Sequence, residues 1–137
     1  MCNTLGHNGK VKAGSYFALR SSPYEIPGGG LVNKIGLRKE EKAFETRVAV
    51  IPEHATIMKK QHGISFIVEP SDQRAFQPEE YSSADVEILP LKGSDAKVIL
   101  GIKEMPIDFF ERSKVYIFFS HTVKGQKYNM PMLRRII

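Results

Sequence analysis

Four short apolar runs constrain this chain more than any other feature: "KIGL" at 34–37, "ISFIV" at 64–68, "AKVILGI" at 96–102 and "KVYIFF" at 114–119. They are rich in β-branched and aromatic residues and too short for helices, so they read as strands. Residues such as Val98, Ile99 and Leu100 leave no polar face, the mark of a strand covered on both sides. "VEILP" reads as a further, weaker strand. Helix signals fall between the runs. Pro52 stands where a first helical residue would, and "PEHATIMKKQHG" runs from it to a glycine stop at Gly63. Pro78 opens "PEEYSSAD", "PIDFFERS" predicts a short helix after Pro106, and "NMPMLRRII" begins another. Strands and helices alternating at this spacing predict βαβ units: an α/β fold with an open, mainly parallel sheet flanked by helices.

At 137 residues the chain is one domain by size. Residues 1–33 differ from the rest. They carry glycines, serines, Pro23, Pro27 and the run Gly28-Gly29-Gly30 with little periodicity, and predict a flexible, irregular arm ahead of a domain at 34–137. Lys10, Lys12 and Arg20 outnumber Glu25 there, which also suits a targeting segment. The three glycines have no strand before them and are not a phosphate-cradling loop.

The net charge of +5 raises the question of nucleic acid. Acids are interleaved with the basic residues, as in "RKEEKAFETR", so the pattern is a mixed solvated surface and no nucleic-acid partner is expected. No apolar run approaches the roughly 20 residues of a membrane span. Cys2 is the single cysteine, which excludes an internal disulfide or a cysteine-cluster zinc site. His7, His54, His62 and His121 lack metal-ligand spacing, and no metal is expected.

In open parallel sheets, ligands bind outside the carboxyl ends of the strands. Three polar clusters follow such ends here: Arg38, Lys42 and Arg47 after "KIGL", Lys103 and Glu104 after "VILGI", and Ser120, His121 and Lys124 after "VYIFF". On one rim, a lysine, a histidine and an arginine can act as proton acceptor, proton donor and carboxylate clamp. A plain reading also stands: Lys103 caps a strand with Glu104 as its surface partner, His121 is a structural histidine, and Arg47 is solvated. Glu40, Glu41 and Glu45 read as an ordinary charged loop.

The motifs "IGLRKEEKAFETRVAVIPEH", "VEPSDQRAF", "LGIKEMP" and "FFSHTVKGQKYNM" occur in that order. Through them the chain from Lys34 to Ile137 resembles the N-terminal domain shared by alanine dehydrogenase, nicotinamide nucleotide transhydrogenase and the saccharopine dehydrogenases. Within that group it is most similar to the lysine-ketoglutarate reductase portion of α-aminoadipic semialdehyde synthase and to the lysine-forming saccharopine dehydrogenases. The resemblance implies an oxidoreductase of lysine metabolism that interconverts lysine plus 2-oxoglutarate with saccharopine using NAD or NADP, in the cytoplasm or mitochondrial matrix. It implies that Lys103 exchanges a proton with the substrate amine and that His121 handles protons as the carbinolamine and imine form and collapse. Arg47 would bind a substrate carboxylate, Lys42 and Lys124 would be basic neighbours, and Glu104 would tune the proton transfers. A lysine must be neutral to accept a proton; crowding by cations and burial favour that form, and an adjacent Glu104 opposes it.

The sequence departs from the family in one respect. It contains no Gly-rich Rossmann turn, so no nicotinamide cofactor is expected on this chain alone. The chain is then expected to be part of a longer enzyme with its cofactor domain in cis, inactive by itself. The alternatives are a truncated, non-catalytic module that binds dicarboxylates or docks on a partner, and an alanine dehydrogenase-like domain.

Overall fold

The structure, a computed structural model, describes residues 33–137. The arm expected over 1–33 lies, apart from Asn33, outside the described residues.

The apolar runs are strands: β1 (Lys34–Leu37), β2 (Ser65–Val68), β4 (Val98–Leu100) and β5 (Val115–Ile117). "VEILP" supplies only the two-residue β3 (Glu87–Ile88) before Pro90. They form one five-stranded sheet in the order β3-β2-β1-β4-β5, and every pairing is parallel. β1 is central, with Gly36 opposite Ile67 on one side and Ile99 on the other.

Both faces are covered over β1, β2 and β4, as a parallel sheet requires, whereas Val115 and Ile117 of the edge strand β5 stay exposed on one face. On one face Leu37, Phe66 and Val68 are buried with Ala55 of α1 (Pro52–His62) and Tyr81 of α2 (Pro78–Ser83). On the other, Ile67 and Ile99 pack with Leu91 and Ala96 of the β3–β4 connection, Met105, Phe110 and Met132 of α3 (Met130–Ile136). The connection lies flat because Gly36 has no side chain. A Cβ there would stand 2.6 Å from a Leu91 methyl and 2.8 Å from an Ile99 methyl.

The helix stops are those expected. Pro52 opens α1, and Gly63 ends it at φ 67°, in the left-handed region that favours glycine. α2 starts at Pro78, and the Glu80 carboxylate accepts the Gln77 amide at 2.7 Å. "PIDFFERS" differs from the expected helix, because only a 3-10 turn forms at Ile107–Phe109. Phe110 is extended instead, and both phenyl rings reach Tyr116, with centroids at 6.3 and 4.9 Å. Neighbouring residues on a helix point about 100° apart and would not converge so. No helix among the described residues is long and apolar enough to cross a membrane.

From β1 the chain first builds outward through β2 and β3, then crosses back to place β4 and β5 on the other side. The order therefore reverses between β1 and β4. In open α/β sheets the crevice at such a switch point is where ligands bind.

Candidate functional site

The segments leaving β1, β4 and β5 meet at the carboxyl rim. After β1, Arg38 does not join that rim. Its side chain is 1% exposed, lies over the Phe109 ring at 4.9 Å and donates to Glu41 at 2.7 Å and to the Lys39 carbonyl at 2.8 Å. It is a buried tie between the strand end and the opposite layer.

Arg47, by contrast, stands 66% exposed. Its Nε and one terminal nitrogen donate to the two carboxylate oxygens of Glu45 at 2.7 and 2.6 Å, the two-pronged geometry natural to guanidinium and carboxylate. Glu45 is itself buried, and one of its oxygens lies 3.7 Å from the Lys103 Nζ. Glu45 thus sits between the arginine and the lysine that the sequence singled out. Its interleaved setting made it look like an ordinary surface acid, and only its position two residues before Arg47 hinted otherwise.

Lys103 is 25% exposed on its side chain. Glu104, its sequence neighbour, is not its partner. The Glu104 carboxylate meets His121 Nδ1 at 3.1 Å and the Asn129 side-chain amide at 3.4 Å. Burial works to raise the Glu104 carboxyl. Its own backbone amide, the Asn129 amide and the charges of His121 and Lys42 outweigh that and hold it below the usual carboxylate value. Asn129, buried, also reaches the His121 carbonyl at 3.4 Å. His121 adopts φ 51°, a left-handed conformation that costs a non-glycine residue about 1–2 kcal/mol. Such strain is often found at functional positions.

The loop bearing Lys42, Glu45 and Arg47 is pinned by the segment between β2 and α2. The Gln73 side chain donates to the carbonyls of Lys42 at 2.7 Å and Glu45 at 2.8 Å, and the Ala75 amide to the Thr46 carbonyl at 2.8 Å. Lys42 is exposed and close enough for its charge to act on Glu104. Lys124 is exposed as well; with His121, Phe119 and Val123 it lines an open cavity of about 450 Å³. Among the sequence-derived site residues, Arg47 and Lys103 are brought together through Glu45, and His121 and Glu104 touch directly. Lys42 is near, and Lys124 is on the His121 side.

Arg47 bonding holds the Glu45 carboxyl down to about 2. A depressed carboxyl contributes stability above its unfolded value, near 4.5, that is lost as pH falls toward 2. Carboxyl carbon NMR should therefore find Glu45 still ionised near pH 3, well below an ordinary glutamate. A midpoint in the usual range would show that the Glu45–Arg47 pair does not form.

The loops after β1 and β2 are not the Gly-rich turn that holds a dinucleotide pyrophosphate. The stretches 38–51 and 69–77, which lead from β1 and β2 into the helices, contain no glycine and carry Glu40, Glu41 and Glu45 where a pyrophosphate would need backbone amides. No group of three His, Cys, Asp or Glu among the described residues is placed to hold a metal ion.

Residues 36–137 match the family model "Alanine dehydrogenase/PNT, N-terminal domain". The chain is 36% identical over 104 residues to the mitochondrial α-aminoadipic semialdehyde synthase of Rattus norvegicus, covering 75% of this chain and 11% of that protein. It is 36% identical over 100 residues to a saccharopine dehydrogenase [NAD(+), L-lysine-forming] of Emericella nidulans, covering 69% and 26%. Among solved structures, an L-alanine dehydrogenase superposes with a TM-score of 0.61 at 19% identity over 74% of this chain and 30% of that one. A transhydrogenase of Sinorhizobium meliloti gives 0.58 at 22% identity over 72% and 31%, so both support the fold alone. The chain spans about a tenth to a quarter of the length of these curated relatives.

Proposed function

This chain belongs to the alanine dehydrogenase/PNT N-terminal domain family, and on that premise we propose that it is the substrate-side domain of an enzyme interconverting lysine plus 2-oxoglutarate with saccharopine. The observation that carries the reading is the meeting of Arg47, Glu45 and Lys103 at the β1/β4 switch point, with His121 and Glu104 beside them. The names of the similar proteins supply the substrate class.

In this reading the lysine amine gives a proton to Lys103 and attacks the keto carbon of 2-oxoglutarate. His121 passes a proton to the carbinolamine hydroxyl, the C–O bond breaks, water leaves, and the protonated imine remains. Glu104 stabilises the imidazolium when His121 holds the proton. Arg47 binds a carboxylate through the guanidinium edge that Glu45 leaves open, while Lys42 and Lys124 add positive potential for an anionic substrate. The redox half belongs to NAD or NADP bound in another domain of the same enzyme, in the cytoplasm or mitochondrial matrix.

Arg47→Ala, in a polypeptide joining this chain to a nicotinamide-binding domain, should raise the KM for 2-oxoglutarate about 10–100-fold. A hydrogen bond to a charged group contributes about 1.5–3 kcal/mol, and each 1.4 kcal/mol is tenfold. Steady-state kinetics with 2-oxoglutarate varied checks this; an unchanged KM removes the carboxylate clamp from the reading.

A further inference from the structure

We propose that Glu40 is a positioning residue of the rim: its carboxylate holds the backbone amides of Ile102 and Lys103, and so fixes where the Lys103 amine stands. One Glu40 oxygen accepts the Ile102 amide at 2.6 Å and the other accepts the Lys103 amide at 3.0 Å. In a straight strand, successive amides point to opposite sides, so both can meet one carboxylate only if the chain bends. It does bend there, at Ile102 and Lys103, just beyond β4.

The arrangement follows from the sheet. β1 and β4 make their last ladder bond from the Arg38 amide to the Leu100 carbonyl, and the Gly101 amide is taken by Ile117 of β5. After that β1 has turned away and the Ile102 amide has lost its strand neighbour, while on the other side the Phe119 amide still donates to the Ile102 carbonyl at 3.3 Å. Glu40, two residues beyond Arg38, returns as a side chain to fill that place. Its charge makes these bonds stronger than amide-to-carbonyl bonds. A Cβ at Gly101 would crowd the Met105 methyl at 2.8 Å but meet a Glu40 oxygen at an ordinary contact distance of 3.5 Å, so Gly101 makes room for Met105 rather than for Glu40. The bend sends Lys103 toward Glu45 and Glu104 toward His121, so neighbouring residues serve different partners.

The catalytic consequence rests on the reading of Lys103 as proton carrier; the positioning does not, and the experiment separates them. Glu40→Gln keeps the size of the side chain but leaves one oxygen to accept two amides. In the chain as it stands, amide hydrogen exchange by NMR should become at least about tenfold faster at Ile102 and Lys103 and stay unchanged at Ile67 and Ile99. The rate at which acetic anhydride acylates Lys103, read by mass spectrometry against Lys97 and Lys127, should change with it. Glu41→Gln, whose carboxylate serves Arg38 instead, should alter neither. Unchanged exchange at the two amides, or unchanged Lys103 acylation, overturns the proposal. Faster exchange throughout the sheet with a lower melting temperature also overturns it, in favour of a purely structural glutamate. With a nicotinamide-binding domain attached, Glu40→Gln should lower kcat at least about tenfold and change the KM for 2-oxoglutarate far less than Arg47→Ala does, because Arg47 keeps both bonds to Glu45 and loses only the distant charge of Glu40. Wild-type turnover in Lys103→Met, with the exchange result intact, would remove the proton-carrier reading alone.

Discussion

Lys103→Met, in a polypeptide joining this domain to a nicotinamide-binding domain, should lower turnover about 10²–10⁴-fold, the usual contribution of a general acid–base group. The same change should lower the unfolding free energy by no more than about 1 kcal/mol, because Lys103 meets Glu45 only at 3.7 Å and a loose, partly exposed ion pair contributes about 0–1 kcal/mol. Methionine keeps the length of the side chain and loses only the amine. The backbone of residue 103 stays bonded to Glu40, and Glu45 keeps its stronger bonds to Arg47. His121→Gln should behave alike, since glutamine can reach Glu104 but cannot relay a proton. Kinetics beside urea denaturation curves decide the matter. Activity that falls only in step with stability, or does not fall, returns both residues to the role of charges capping strand ends.

The largest effect on stability is expected elsewhere on the same rim. Glu69→Ala should destabilise the fold by about 2–5 kcal/mol, a large part of the 5–15 kcal/mol typical of a whole domain. Glu69 is buried at the end of β2, where its two oxygens accept the amides of Lys39 at 3.1 Å and Leu91 at 3.2 Å. Without it, the Leu91 amide loses its partner in a buried setting and the Lys39 amide in a partly buried one, at a cost of up to about 1–3 kcal/mol each. Arg74 adds to the loss. Its buried guanidinium donates to the carbonyls of Glu69 and Arg38, lies over the Tyr81 ring, and has Glu69 among its nearby negative charges. Removing that anion leaves a buried cation less compensated. Urea titration of this chain should give a much lower midpoint with an unchanged slope. A shift under about 0.5 kcal/mol would mean that water satisfies the two amides.

The central strands could be read from the sequence because strands covered on both faces demand unbroken apolar runs, and Val98-Ile99-Leu100 is one. Pro52, Gly63 and Pro78 marked helix ends because their backbone preferences are local. The turn at Ile107–Phe109 was not legible, since what overrides the helical pattern is the pull of Tyr116 on two adjacent rings. The same division runs through the site. Lys103 and His121 stood out because they follow apolar strands on the carboxyl rim, where ligands bind in such sheets, and the family resemblance added Arg47. Glu40 and Glu45 did not, because Ile102 is 62 residues from Glu40 and Lys103 is also far from Glu45 along the chain, and a charge-rich loop hides such long-range pairing. Glu104 misled by adjacency: a bend at 102–103 turns it from Lys103 to His121.

The site itself is tested most directly by titrating isotopically labelled chain with saccharopine and following backbone amides and arginine Nε–H groups by NMR. Saturable shifts are expected at Arg47, Lys103, Glu104 and His121, on the carboxyl rim between β1 and β4 and at the end of β5. Lys34, Glu87 and Lys114, at the far end of the sheet or at its edges, should stay silent, and Arg47→Ala should weaken every shift together. Saturable shifts confined to those distant residues, or none at Arg47, Lys103 and His121, would contradict a substrate site at this rim.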